Sequence, residues 1–126
     1  MSVLQTLQTL VGPELSATVA DGGLEFERLE WMGDSVLDAI VIRQVVLSAE
    51  PEAALGELLV KHSHLVRDDT LIANAERLGL PYVGHSTPKD QHHRLGDSVE
   101  AWIGAGFVAS GWTGASTIAS MLVLPE

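Results

Sequence analysis

Apolar residues recur three or four positions apart along most of the chain, which is the spacing that places them on one face of a helix. Alternation of apolar and polar residues, the pattern of a half-buried strand, is weak throughout. The chain is therefore predicted to be all-α, and its 126 residues suit a single domain over 1–126. In chain order, helices are predicted over 2–10, 27–48, 53–63, 68–78, 95–110 and 113–124.

The segments between these helices are harder to assign. Residues 13–24 end in a turn-like Asp-Gly-Gly sequence and show no clear period. Residues 81–94 are rich in glycine, proline, serine and histidine, and we predict a loop there. The helix over 95–110 contains many small residues, which weaken a helix and therefore indicate that another helix packs very close to it. These small residues are Gly96, Ala101, Gly104, Ala105, Gly106 and Ala109.

The composition excludes several classes of protein. Hydrophobic residues make up 46% of the chain, enough for a packed core, so a disordered protein is not expected. The absence of cysteine excludes disulfides, thiolate metal sites and cysteine nucleophiles. Residues 1–11 have no basic start, and charges or glycines interrupt every apolar run. We therefore expect a soluble cytoplasmic protein without a signal peptide or a membrane span.

The net charge of −10, from 17 acidic and 7 basic residues, weighs against a nucleic-acid partner. Proteins bind nucleic-acid phosphates mainly through lysine and arginine. Two divalent cations held by the acids would bring the charge from −10 to −6, which is still acidic. The scattered basic residues are either contacts to an RNA backbone or ordinary solvated charges. They include Arg43, Lys61, Arg67, Lys89 and Arg94.

Paired acids on two predicted helices are the candidate chemistry. Glu30 and Asp34 are four residues apart and share a helix face, with Cβ atoms about 5–6 Å apart. Asp97 and Glu100 are three apart and share a face in the same way. Both helices are largely apolar, where carboxylates are costly to bury unless cations neutralise them. If the two faces meet, these oxygen ligands favour Mg²⁺ or Mn²⁺; otherwise the pairs are solvated acidic faces.

Two segments resemble the motifs of a known family. Residues 27–38, ERLEWMGDSVLD, resemble the ribonuclease III signature, usually written ERLEFLGDSVLD, and differ from it at Trp31 and Met32. Residues 96–105, GDSVEAWIGA, resemble the second acidic motif of that family, a D-x-x-E followed by A-L-I-G-A. The similarity spans most of residues 25–111. It implies the all-helical ribonuclease III endonuclease-domain fold, assembled as a symmetric homodimer.

The resemblance implies a metal-dependent endoribonuclease. In the family, four acids bind Mg²⁺ and activate a water, which attacks a phosphodiester of double-stranded or structured RNA. The products carry a 5′ phosphate and a 3′ hydroxyl. The implied cofactor is Mg²⁺, with Mn²⁺ as an alternative. The metal-binding and catalytic residues implied for this chain are Glu30, Asp34, Asp97 and Glu100, with Glu27 as a further catalytic candidate.

Trp31 has two interpretations. It matches the signature aromatic that, in the family, inserts into the partner subunit of the homodimer. A buried aromatic anchor of this kind contributes strongly to an interface. Without the resemblance, its place in an apolar helix favours a residue of the chain's own core.

The chain differs from the family pattern mainly at features that contact RNA in the family, and less at the acids. Phe26 stands where the family usually has Asn, and Leu55 where many members have an acid. Leu59 and His62 replace the usual Ser and basic residue. We expect the endonuclease domain only, without a double-stranded-RNA-binding domain. These departures and the acidic charge predict weakened binding of double-stranded RNA, for which an RNA-binding partner protein would compensate.

Other functions stay open. A scaffold or binding module would keep the ribonuclease III fold without cleaving, which the acidity favours. An enzyme could use the same carboxylate cleft on a small molecule, since the apolar replacements would suit a drier pocket. The histidines allow a zinc site, although the spacings His62-x-His64 and His92-His93 match no standard motif. Surface histidines or phosphate contacts are the alternatives.

Overall fold

The computed structural model describes residues 1–84 and 88–124, which form six helices and no strand. The predicted all-α class is therefore confirmed. Two long helices, the third and the sixth, pack against each other at the centre, and each of the other four contacts at least one of them. The helices are α1 (Val3–Val11), α2 (Pro13–Asp21), α3 (Leu24–Ser48), α4 (Leu55–Val66), α5 (Asp68–Arg77) and α6 (Pro88–Leu122).

Local sequence explains where the first helices begin and end. The Ser2 hydroxyl accepts a hydrogen bond from the backbone N–H of Gln5, and the Gln5 side chain accepts one from the Ser2 N–H. Gly12 ends α1 with φ at 90°. Pro13 is the first residue of α2. An N–H at this position has no partner within the helix, so the absence of an N–H in proline costs no hydrogen bond. Gly22 ends α2 in the left-handed conformation, with φ at 74°.

Glycines allow α3 and α6 to approach until their backbones touch. A methyl group at Gly33 would overlap the carbonyl oxygen of Glu100 and lie 2.9 Å from the backbone nitrogen of Gly104. A methyl group at Gly104 would overlap the carbonyl oxygen of Leu29. The prediction of a very close helix contact, made from the small residues of the sixth helix, is therefore confirmed.

The helix α6 is broken near its C-terminal end. Ser110 and Gly111 leave the helical conformation, and Gly111 has φ at 61° and ψ at −147°. The chain turns sharply there, so that a methyl group at Gly106 would lie 3.1 Å from the carbonyl oxygen of Gly114. The break separates an arm over 88–109 from an arm over 112–122, in agreement with the two separate helices predicted.

The core is built on the contact between α3 and α6. Its largest fully buried side chains include Phe26 and Leu37 from α3, and Val99 and Ile103 from α6. Burying one such side chain contributes roughly 1.5–3 kcal/mol. These two helices therefore form the rigid frame on which any site at their crossing is held.

The structure moves several predicted boundaries. Since α6 begins at Pro88, the loop predicted over 81–94 is wrong from that residue on, while 85–87 lie outside the described residues. Proline suits a helix start because its fixed φ is already helical. The unassigned segment 13–24 contains α2, and α4 starts and ends later than predicted. None of the helices described here is both long enough and apolar enough to cross a membrane.

Candidate metal centre

Three acids from two helices converge where α3 crosses α6. One carboxylate oxygen each from Glu30, Asp97 and Glu100 lies within 4.8 Å of the other two. The backbone contact at Gly33 explains this convergence, because it brings α3 onto the carbonyl of Glu100 between Glu30 and Asp34. Oxygens this close to one another can share one small cation, which holds its ligands about 2 Å away.

Asp34 joins these three acids through Glu100. The side chains of Asp34 and Glu100 share a hydrogen bond, and those of Glu30 and Asp97 share another. Each of these hydrogen bonds links α3 to α6. The structure thus brings together all four acids that the sequence analysis singled out on spacing. These four acids, Glu30, Asp34, Asp97 and Glu100, form the carboxylate cluster.

Burial and repulsion favour the protonated form of two members of this cluster. Burial raises the pKa of Glu100 from 4.5 to about 9, and the hydrogen bond and negative charge of Asp34 act in the same direction. Burial also raises the pKa of Glu30 to about 8, with Asp97 adding to the rise in the same two ways. The positive charge of Arg94 opposes the rise at Glu30. A bound cation would replace the protons on these two carboxyls.

The carboxylate cluster lines an open cleft of about 410 Å³. The remaining lining residues come from α3, from the end of α4 and from the start of α5. No lysine or arginine lines the cleft in the described part of the chain. The cleft therefore attracts cations, and it repels phosphate unless cations are bound. The lining residues outside the cluster are Glu27, Trp31, Val66 and Asp68.

Asp68 is a cleft residue that the sequence analysis missed. Its position predicts only the start of a helix, and its spacing has no relation to that of the other acids. The cause of its placement is Gly96: a methyl group there would lie 3.5 Å from the carbonyl oxygen of Asp68. Because α5 packs against this glycine, Asp68 lines the same cleft as Asp97. No local pattern in the sequence signals this long-range contact.

Two further candidates on α3 lie at the edge of the cleft. Glu27 is exposed, and its charge contributes to raising the pKa of Glu30. Trp31 is 78% exposed, so the interpretation of Trp31 as a core residue is wrong. An exposed tryptophan leaves a large apolar surface in contact with water, which is typical of an interaction surface.

None of the described histidines lines the cleft of the carboxylate cluster. Nε2 of His62 is 3.0 Å from Oδ1 of Asp38, and Nδ1 of His92 is 3.6 Å from Oε1 of Glu76. In the residues described, the group of side chains placed to share a metal ion contains no histidine. The zinc alternative therefore has no support from this geometry.

The apolar residues that replace usual residues of the family pattern do not shield the carboxylate cleft from water. Phe26 is fully buried in the core, while Leu55 and Leu59 are exposed on a separate groove between α3 and α4. None of the three lines the carboxylate cleft. The argument for a small-molecule pocket built from these replacements is therefore wrong. Among the basic candidates, Arg94 packs against Phe26, and the side chain of Lys89 lies outside the described residues.

Comparison with known proteins agrees with this geometry. Ribonuclease 3 of Thiobacillus denitrificans is 37% identical over 111 residues, which cover 82% of this chain and 49% of that protein. Ribonuclease 3 of Gloeobacter violaceus is 34% identical over 110 residues, which cover 82% of this chain and 44% of that protein. The chain thus spans less than half the length of these relatives.

A solved structure and a family model complete the comparison. The nuclease domain of ribonuclease III from Campylobacter jejuni matches with a TM-score of 0.67 and 30% identity, over 77% of this chain and 72% of that one. The description of that protein reports structural flexibility in the region involved in dimer formation. The ribonuclease III domain model matches residues 27–111, which include the whole carboxylate cluster. This chain therefore belongs to the ribonuclease III family.

Proposed function

We propose that this protein is a metal-dependent endoribonuclease that hydrolyses phosphodiesters of double-stranded or structured RNA. Family membership supports the reaction class. The observation that carries the proposal is the convergence of carboxylate oxygens from Glu30, Asp97 and Glu100 within 4.8 Å of one another, in an open cleft. The products would carry 5′-phosphate and 3′-hydroxyl ends.

The donor set suits Mg²⁺, with Mn²⁺ as an alternative. All the donors are hard carboxylate oxygens, which both ions prefer, and an open cleft leaves space for the waters that Mg²⁺ retains. Glu30, Asp97 and Glu100 would hold the ion, and Asp34 would support Glu100. When bound, the ion supplies a water of lowered pKa and neutralises negative charge on the phosphate.

The chain's own residues prepare the site for this chemistry. Glu30 and Glu100 would release their protons as the ion binds, so metal affinity would rise with pH until both are ionised. The backbone contact at Gly33 holds the two helices rigidly, so the carboxylates need little reorganisation. Glu27, at the exposed rim, is placed to contact a water or the edge of the substrate.

We propose that the chain assembles as a symmetric homodimer with Trp31 near the interface. The 78% exposure of Trp31 supports this, because a large aromatic side chain gains most from burial against a partner. Trp31 also lines the cleft, so the partner subunit would lie close to the carboxylate cluster. Each subunit would then contribute one site and cut one strand.

Binding of RNA is expected to be weak without help. The net charge is −10, and the described residues that line the cleft include no lysine or arginine. Bound metal ions offset part of this repulsion, and an RNA-binding partner protein would supply further affinity. Low ionic strength should favour the few phosphate contacts that the chain can make.

Cleavage of a generic double-stranded RNA at low salt tests the proposal. We expect cutting that requires Mg²⁺ or Mn²⁺, that leaves 5′-phosphate ends, and that Glu100→Gln abolishes. Glu14→Gln, which removes an exposed acid far along the chain from the cluster, serves as the matched control and should cut normally. A folded dimer that does not cut RNA would contradict the proposal. In that case metal titration would distinguish the two alternatives: an enzyme that acts on another substrate would bind metal, and a non-cleaving scaffold would not.

A further inference from the structure

Arg94 connects α6 to the turn that precedes the first acids of α3. Its guanidinium lies over the ring of Phe26, 4.7 Å from the ring centroid. Its Nη2 donates a hydrogen bond to the carbonyl oxygen of Gly22 at 3.1 Å. Phe26 is fully buried and Gly22 closes α2, so these two contacts of Arg94 are made to groups that the fold holds in place. One side chain of α6 thus contacts the end of α2 and the first turn of α3 together.

These contacts lie one helical turn from the carboxylate cluster on both helices. Phe26 and Glu30 are four residues apart on α3, and Arg94 and Asp97 are three apart on α6. The contact of Arg94 with Phe26 therefore bridges the helices beside the hydrogen bond between Glu30 and Asp97. Arg94 is also close enough to Glu30 for its positive charge to act on that carboxyl.

The cluster is consequently held from two sides. On one side, the backbone contact between Gly33 and Glu100 sets the distance between α3 and α6. On the other side, Arg94 ties the first turn of α3 to α6 through Phe26. Phe26 stands where the ribonuclease III signature usually has Asn, so this aromatic contact is a feature of this chain rather than of the signature.

We propose that Arg94 is a positioning residue for the carboxylate cluster: through Phe26 and Gly22 it holds Glu30 against Asp97, at a separation that one divalent ion bridges. This inference rests on the proposed metal site and deepens it. Arg94 is absent from the lining of the cleft, so it acts through Glu30 rather than on the ion or the RNA.

The charge and the position of Arg94 have opposite effects on metal binding. A nearby positive charge repels a divalent cation, so removing the charge alone would tighten metal binding. A positioning side chain preorganises the ligands, so removing it would weaken metal binding. Lysine keeps the charge but lacks the planar guanidinium that stacks on an aromatic ring and forms directed hydrogen bonds. The substitutions Arg94→Met and Arg94→Lys therefore separate the two effects.

The test is calorimetric titration of the intact protein with Mn²⁺, at one pH and one protein concentration, for variants shown to be folded by circular dichroism. Relative to the unaltered chain, we expect Arg94→Lys and Arg94→Met each to weaken Mn²⁺ binding by roughly three- to tenfold. Arg77→Met removes an exposed arginine of α5 and should bind Mn²⁺ normally. In RNA cleavage, both Arg94 variants should need more metal for half-maximal rate and recover the full rate at saturating metal.

Two results would overturn the inference while leaving the proposed function intact. They are unaltered Mn²⁺ affinity in Arg94→Lys, and tighter Mn²⁺ binding in Arg94→Met. If Arg94→Met does not fold, Phe26→Leu provides the second variant, because it keeps the charge and removes the aromatic face; unchanged affinity there would again count against positioning. Failure of the unaltered chain to bind Mn²⁺ would instead refute the proposed metal site itself.

Discussion

The N-terminal half of α3 directs carboxylates towards α6, whereas its C-terminal half leaves aliphatic side chains exposed to solvent. In the first half, Glu30 is partly buried while Trp31 is 78% exposed. In the second half, Ile42, Val46 and Leu47 are between 49% and 65% exposed. Buried acids and exposed apolar side chains are both the reverse of ordinary burial, and each indicates a function rather than a contribution to stability.

The two halves differ because of what packs against them. The first half contacts α6 backbone to backbone at Gly33, which forces the neighbouring acids together. The second half pairs with α4, and the two helices leave a small groove of about 180 Å³ lined by aliphatic residues and His62. The same helix therefore carries two features that do not favour the isolated chain. The buried acids of the carboxylate cluster oppose folding when metal is absent, and the exposed aliphatic surface is stabilised by contact with another molecule. Five predictions probe this difference, from the largest expected effect to the smallest.

Gly33→Ala should have the largest effect on stability, because its methyl group would overlap the carbonyl oxygen of Glu100 and backbone atoms cannot yield easily. We expect a loss of about 3 kcal/mol in the free energy of unfolding, measured by urea denaturation at fixed protein concentration. Ser35→Ala, at an exposed position two residues further along the helix, is the control and should change little. An equally stable Gly33→Ala protein would show that the helices are not in backbone contact.

Glu100→Gln should stabilise the metal-free protein while removing metal binding. The raised pKa means that folding forces Glu100 to take up a proton at neutral pH, which glutamine does not require. We expect a gain of roughly 1–3 kcal/mol at pH 7, read from urea denaturation in chelator. Destabilisation in chelator would contradict the view that the cluster opposes folding.

The same argument sets the pH dependence of the metal-free protein. Glu100 and Glu30 have folded pKa values of about 9 and 8, above 4.5, so the folded state binds more protons than the unfolded state between these values. The contribution of these groups to stability is therefore complete below pH 4.5 and is lost as pH rises through 8 and 9. Glu100→Gln should flatten this decline, and Mg²⁺ should oppose it.

Trp31→Ala should affect association more than folding. Since Trp31 is 78% exposed in the single chain, its removal should change the stability of the subunit little. If it anchors the homodimer, its loss should raise the dissociation constant roughly tenfold to a hundredfold, as measured by analytical ultracentrifugation. Trp112→Ala, at an exposed tryptophan on the second arm of α6, is the control. If Trp31→Ala dimerises as tightly as the unaltered chain, the interface lies elsewhere on the protein.

Asp38→Asn should have the smallest effect. It removes the charge that lies 3.0 Å from Nε2 of His62, at a partly exposed site between α3 and α4. We expect a loss below about 1 kcal/mol in the free energy of unfolding, because a polar contact that is open to solvent contributes little. Arg28→Gln, which breaks the exposed pair of Arg28 with Glu25, should change stability even less. A larger loss of stability in Asp38→Asn would show that the contact between Asp38 and His62 contributes substantially to the packing of α4 against α3.

Sequence patterns identified most of the site but only part of its surroundings. Spacing placed Glu30 with Asp34, and Asp97 with Glu100, because residues three and four apart share a helix face. Spacing did not predict that Asp68 lines the cleft, because Asp68 is placed there by the packing of α5 against Gly96. The start of α6 at Pro88 was also missed, because glycine, proline and serine around a helix start look like a loop.

The sequence by itself determined the all-α class, the main helices and the two pairs of acids, because these depend on periodicity within one segment. The small residues of α6 also indicated close packing, although not against which partner. Only the tertiary structure decided that Gly33 meets Glu100, that Trp31 is exposed and that Arg94 packs on Phe26. Those facts depend on contacts between distant segments, which the crossing of α3 and α6 creates and which no local pattern encodes.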